Sequence, residues 1–161
     1  MNKPIISICI PTYNRAACLR QCLESIVKQF KDPLARESVE VVISDNASVD
    51  GTEVVVKEFQ KEFSNIFYYK NSENLGVDRN ILNVVEKAQG EYVWFLGDDD
   101  ALFPDATGYM LQELKLHKFK YCLVNCLGYD RDLLNPAVRQ PNFAIESNQY
   151  FGSLREYVTK M

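Results

Sequence analysis

The stretch Ile5-Ile6-Ser7-Ile8-Cys9-Ile10-Pro11-Thr12-Tyr13-Asn14-Arg15 decides the fold. Its first six residues include four isoleucines and a cysteine. A nearly continuous apolar run this short suits a strand buried on both faces, as in a parallel sheet. Pro11 is read as its end, which places Thr12 to Arg15 just past the carboxyl end of the strand. Leu19, Cys22, Leu23, Ile26, Val27 and Phe30 then recur at helical spacing and predict a helix over 16–30. The polar residues 31–38, with Pro33, read as a loop, and Val39, Val41, Val42 and Ile43 as a second β-branched strand.

The same alternation continues outward. Asp50 is placed to cap the next helix, with Glu53 completing a capping box. Val55, Phe59 and Phe63 supply its buried face, and Ile66–Tyr69 makes a third strand. Ile81, Val84, Val85 and Ala88 give a helix closed by Gly90, read as a left-handed C-terminal residue. Tyr92–Leu96 is a fourth strand, apolar throughout. Met110, Leu111 and Leu114 mark another helix, and Tyr121–Cys126 a fifth strand. Residues 127–150 lose the periodicity, and 150–160 have the pattern of one more helix. Strands alternating with helices predict an α/β domain with a mostly parallel sheet covered by helices on both faces. Such sheets bind ligands outside the carboxyl ends of their strands. Polar clusters stand there: Pro11 to Arg15, then Ser44-Asp45-Asn46, then Asp98-Asp99-Asp100.

The composition narrows the classes. The chain has 161 residues, 47% hydrophobic and 25% charged, which fits one globular domain and not a disordered one. Lys and Arg number 18 against 22 Asp and Glu, a net charge of −4 that argues against a nucleic-acid partner. Apolar runs stay far below the roughly 20 residues of a spanning helix. No export signal is evident, which points to the cytoplasm and makes the sequon Asn46-Ala47-Ser48 a chance match. Five cysteines cannot close a disulfide framework without a leftover thiol. The pairs Cys18/Cys22 and Cys122/Cys126 have a spacing that zinc can use, but they lie in apolar periodic segments, so reduced core thiols are expected.

Three adjacent carboxylates at a strand end repel one another and raise each other's pKa. A divalent cation relieves this, and hard oxygen ligands favour Mg2+ or Mn2+, completed by water and phosphate oxygens. A solvated acidic turn is the competing reading. The seven glycines (51, 76, 90, 97, 108, 128 and 152) form no GxGxxG fingerprint and no P-loop. The turn after the first strand holds no glycine, which removes a Gly-rich phosphate cradle. The lone His117, on a helix, is no catalytic candidate, and no GxSxG elbow or Cys-His arrangement stands out.

Taken in order, Ile8 to Arg15, Ile43 to Thr52, Asn74-Leu75-Gly76 with Arg79-Asn80, Gly90-Glu91-Tyr92 and Leu96 to Asp100 resemble the family 2 glycosyltransferases. Within that family they are most similar to the abequosyltransferase-like branch of O-antigen enzymes. The resemblance implies a three-layer α/β/α glycosyltransferase-A fold, a nucleoside diphosphate sugar donor and a divalent metal, Mn2+ or Mg2+. It implies nucleotide contacts from Pro11, Thr12, Tyr13, Asn14, Arg15, Asp45, Asn46 and Arg79. In the acidic cluster it makes Asp100 the chief metal ligand, with Asp98 also at the metal and Asp98 or Asp99 facing the ribose. Asn46 stands where many relatives have Asp. An amide both donates and accepts, which suits cytosine as well as uracil.

The resemblance further implies transfer to a glycan or lipid-linked glycan acceptor hydroxyl, with inversion at the anomeric carbon, in surface glycan synthesis. That acceptor would bring the chain to the inner face of the membrane as a peripheral protein. Residues 1–126 correspond to the donor-binding portion. Residues 127–161 are the start of an acceptor-side region, with the catalytic base expected beyond the chain end and self-association through surface left uncovered. The alternatives are a non-catalytic nucleotide-sugar binding module and an isolated donor-binding fragment.

Overall fold

The structure, a computed structural model, describes residues 3–120 together with 122 and 124. The chain divides into one compact unit over Met1–Lys118 and another over Phe119–Met161. In the first unit β1 (Ile6–Thr12), β2 (Val39–Asp45), β3 (Ile66–Lys70) and β4 (Tyr92–Phe95) form a wholly parallel sheet in the order β3-β2-β1-β4. The helices are α1 (Ala16–Gln29), α2 (Pro33–Ser38), α3 (Thr52–Gln60), α4 (Val77–Lys87) and α5 (Ala106–Leu116). None of them is long and apolar enough to cross a membrane.

The two faces of the sheet are covered unequally. Ile6, Ile8 and Ile10 point with Val39, Val41 and Ile43 into the larger core, packed by Leu19, Leu23 and Ile26 of α1, Val56 of α3 and Leu111 of α5. The opposite face carries Cys9, Val42 and Val84 of α4. This arrangement is the α/β sandwich expected from the alternating elements. The predicted strand at 121–126, the irregular stretch 127–150, the helix at 150–160 and Cys126 lie outside the described residues.

Several local expectations are corrected. Residues 33–38 are a helix, because Pro33 stands at its first position, where the missing N–H costs nothing, and Asp32 caps it through Leu34 N–H at 3.0 Å. Pro11 does not end β1, which runs on to Thr12. The carbonyls of Ile5 and Cys9 accept from Tyr92 and Leu96, so alternate residues of β1 address β4. The absent N–H of Pro11 therefore falls beyond Phe95, the last paired residue of β4, and removes no ladder bond. β4 stops at Phe95, one residue short of the predicted end, and as an edge strand among the described residues it leaves its apolar Val93 and Phe95 exposed.

Two predicted caps also change. Gly90 lacks a positive φ. It is needed because a Cβ there would lie 2.6 Å from both the backbone nitrogen and Oγ of Ser7. The capping box at Asp50 and Glu53 does not form, as Glu53 turns to Lys57 and Lys70. Asp50 instead accepts from the Ala16 N–H at 3.0 Å with one oxygen and from the Thr52 N–H at 2.9 Å with the other. One carboxylate thus caps the first turns of both α1 and α3. Against the effect of its burial, the Thr52 hydroxyl, which also donates to it, and these two N–H bonds hold it below the usual carboxylate value.

Candidate functional site

The carboxyl ends of β1, β2 and β4 converge, and the loops leaving them are tied together. Beyond β4, Gly97 opens a tight turn in which Asp100 N–H donates to the Gly97 carbonyl at 3.1 Å and Asp100 Oδ2 accepts from Gly97 N–H at 3.0 Å. A Cβ on Gly97 would lie 2.8 Å from Asp100 Oδ2 and 2.9 Å from Asp99 Oδ1, so any side chain there would push these carboxylates from their positions. Asp98 points inward and is 6% exposed, while Asp99 and Asp100 are exposed.

Asp98 joins β4 to β1. Thr12 Oγ1 donates to its Oδ2 at 2.7 Å, and Arg15 Nη1 donates to its Oδ1 at 3.1 Å and to Asp99 Oδ2 at 2.8 Å. Burial pushes the Asp98 carboxyl above the usual value, against the opposing pull of Thr12 and Arg15, and the charge of Asp99 adds least. At Asp98 the expected repulsion from the neighbouring acids is therefore a minor effect. Desolvation dominates, and a guanidinium lies against two of the three acids. The charge of Asp98 and the bond to Asp99 in turn raise the pKa of Arg15.

The β1 and β2 loops are joined in the same way. Asn46 N–H donates to the Thr12 carbonyl, Asn14 N–H donates to Ser48 Oγ, and Val49 N–H donates to Asn14 Oδ1, all within 2.8–2.9 Å. Asn14 and Ala47 have positive φ, which asparagine tolerates better than alanine. Tyr13 is left 45% exposed at the rim. Asp45 is fully buried. Its Oδ1 accepts from Ser48 N–H at 2.8 Å and its Oδ2 from the Tyr68 hydroxyl. Burial and the bond to Asp45 raise the Tyr68 pKa.

Asn46 is equally committed to the protein. Its Nδ2 donates to Asn74 Oδ1 at 2.8 Å and to the Gly76 carbonyl at 3.3 Å, and its Oδ1 accepts from Leu75 N–H at 2.8 Å and Asn71 Nδ2 at 3.2 Å. The amide shapes the loop over 71–76, which leads through the positive φ of Gly76 into α4. Arg79 lies exposed on α4, and the buried neighbour is Asn80, which bonds Ser44 and Asn71. Sequence reasoning assigned no role to Tyr68, Ser48, Asn71 or Asn80. Asn80 stood inside a recognised segment without an assigned role, and a run of asparagines through 71, 74, 80 and 83 was the available signal.

Mg2+ and Mn2+ are typically held by one or two carboxylates with water and phosphate. Asp100 fits this role: it is exposed, and its Oδ1 has no partner among the described residues. Both oxygens of Asp98 are engaged. Among the described residues no three His, Cys, Asp or Glu side chains are gathered so as to hold a metal ion, so an ion on Asp100 would draw most of its ligands from water and phosphate. Cys18 and Cys22 accordingly form no such group. Cys22 is buried, its Sγ donating to the Gly97 carbonyl at 3.6 Å beneath the acidic turn, and Cys9 is buried on the other face.

Comparison with known proteins gives the same picture. The sequence profile described as Glycosyl transferase family 2 matches residues 7–159. Abequosyltransferase RfbV of Salmonella typhimurium is 48% identical over 103 residues, 63% of this chain and 30% of that protein. The GalNAc(5)-diNAcBac-PP-undecaprenol beta-1,3-glucosyltransferase of Campylobacter jejuni is 36% identical over 130 residues, 78% of this chain and 40% of that protein. The chain thus spans well under half the length of these relatives. In fold it is similar to S. aureus TarS 1-349 in complex with UDP-GlcNAc, with a TM-score of 0.64, 24% identity, and coverage of 70% of this chain and 32% of that one. It is also similar to the mannosyltransferase PcManGT from Pyrobaculum calidifontis in complex with GDP-Man and Mn2+, with a TM-score of 0.58, 27% identity, and coverage of 71% and 32%.

Proposed function

The chain belongs to glycosyl transferase family 2, and from that premise we propose that it is the donor-binding part of an enzyme that transfers a sugar from a nucleoside diphosphate sugar to an acceptor hydroxyl. The observation that carries this reading is the row of strand ends in which Thr12 and Arg15 meet Asp98, joining β1 to an acidic turn with an open carboxylate oxygen on Asp100. The fold is similar to that of solved structures in complex with UDP-GlcNAc and with GDP-Man and Mn2+.

In this reading Pro11, Tyr13 and Asn14 flank the nucleoside, with the exposed Tyr13 ring as a stacking surface. Asp45 acts from beneath, fixing the loop through Ser48, and Asn46 acts by holding the segment 71–76 that borders the base. Arg79 faces the donor from α4. Asp99 addresses the ribose, and Asp100, with Asp98, holds Mn2+ or Mg2+. When bound, the cation neutralises the charge that develops on the departing diphosphate. The donor portion spans residues 1–126, and 127–161 begin the acceptor side. Inversion, a glycan or lipid-linked acceptor, a cytidine-type base, a cytoplasmic place at the membrane's inner face and self-association complete the proposal. The carboxylate that takes the acceptor proton, general-base help worth about 10²–10⁴ in rate, is not among the residues assigned here.

The test is calorimetry with Mn2+ and cytidine, uridine and guanosine diphosphates. Metal-dependent nucleotide binding is expected, and Asp100→Asn should abolish the metal dependence while an amide oxygen still accepts from Gly97 N–H. Binding that ignores both metal and this substitution would refute the assignment.

A further inference from the structure

We propose that Arg15 is a resident counter-cation of the strand-end acids, displaced jointly by a divalent cation and a diphosphate. The inference rests on the reading of Asp98 to Asp100 as the metal and diphosphate site. A single nitrogen, Nη1, makes both of its contacts, to Asp98 Oδ1 at 3.1 Å and Asp99 Oδ2 at 2.8 Å. The guanidinium carries five N–H donors in a fork, and Nε and Nη2 have no acceptor among the described residues. Three of the five donors are therefore left unpaired among the described residues, in the form that recognises phosphate oxygens bidentately. The side chain is 52% exposed and hangs from the N-cap position of α1, whose first turn is capped by Asp50 and not by Arg15. It can swing without unmaking the helix.

A divalent ion on Asp100 and Asp98 and a guanidinium on Asp98 and Asp99 share the Asp98 carboxylate and repel each other. Metal binding alone must therefore detach Arg15 from Asp98 with no new acceptor to receive it. A diphosphate supplies that acceptor. Metal and nucleotide should consequently reinforce each other's binding, by the same factor in either order.

The test is Mn2+ titration followed by the electron paramagnetic resonance of the free ion, with and without cytidine or uridine diphosphate. For Arg15→Gln, Mn2+ alone should bind about three- to tenfold more tightly, the scale set by losing one exposed ion pair and one to a buried carboxylate. The factor by which nucleotide tightens Mn2+ should shrink correspondingly. Arg15→Lys should stay near the wild type for Mn2+ alone, since the charge is kept. Arg20→Gln, which breaks an exposed pair with Glu58 elsewhere on α1, should change neither quantity. Unchanged or weaker Mn2+ binding by Arg15→Gln, with nucleotide coupling intact, overturns the counter-cation role alone. Absence of Mn2+ binding by the wild type even with nucleotide overturns the functional reading and this inference with it.

Discussion

Burial lifts the Asp98 carboxyl above its ordinary value, so the folded protein holds that proton more tightly than the unfolded chain does. The stability tied to this group is complete below the unfolded value of about 3.9 and is lost as pH rises through the folded one. Asp98→Asn should therefore melt above the wild type at pH 7–8, and the gap should close as the pH falls past that window. A gap that persists unchanged in acid would contradict the assignment. Thr12 and Arg15 favour the charged form against its burial, and a charge held in a buried place is a stability penalty typical of a functional site. At this scale the sequence was only partly legible. Residue type and place exposed the acids, because a polar cluster after an apolar strand is rare without a reason. Which oxygens are taken and which stand open depends on Thr12 and Arg15, far away in the chain, and no local pattern encodes that.

Helix starts were misread for a related reason. The capping box at Asp50 is a local motif, but Glu53 turns to Lys57 and Lys70, and the second carboxylate oxygen of Asp50 is taken by Ala16 N–H, brought in by the β1 loop. Likewise Gly90 reads as a helix terminator, whereas the close approach of Ser7 requires it. Strands and helices themselves were legible, since a buried parallel strand must be apolar throughout and an amphipathic helix must repeat. Because Asp50 serves α1 and α3 together, Asp50→Ala should cost about 1–2 kcal/mol at pH 7 in urea unfolding. Its lowered folded-state pKa gives the opposite acid behaviour to Asp98: the stabilisation is present above the unfolded value and fades as pH falls through the folded one. Equal losses at pH 7 and in strong acid would show that the carboxylate is no cap.

For the whole molecule, the two cores can be read through their thiols. Cys9 and Cys22 are fully buried, and burial pushes the Cys9 thiol up to about 12, with Glu40 adding to the effect. Burial raises Cys22 as well, followed by the charges of Asp100, Asp98 and Asp99. Alkylation at pH 8 needs thiolate and access. Peptide mass mapping should find Cys18, which is only partly covered, modified well before either of them. Cys22 reacting as fast as Cys18 would mean that α1 does not seat against the acidic turn as described. The strand order has a further consequence, in time. β1 is the first described strand to leave the ribosome, yet it lies inside the sheet, and Ile6 waits for Tyr92 before its second edge is paired. At about 5–20 residues per second of synthesis, that edge stays open for several seconds. During translation, this isoleucine-rich strand is the segment that most needs shelter from other nascent chains.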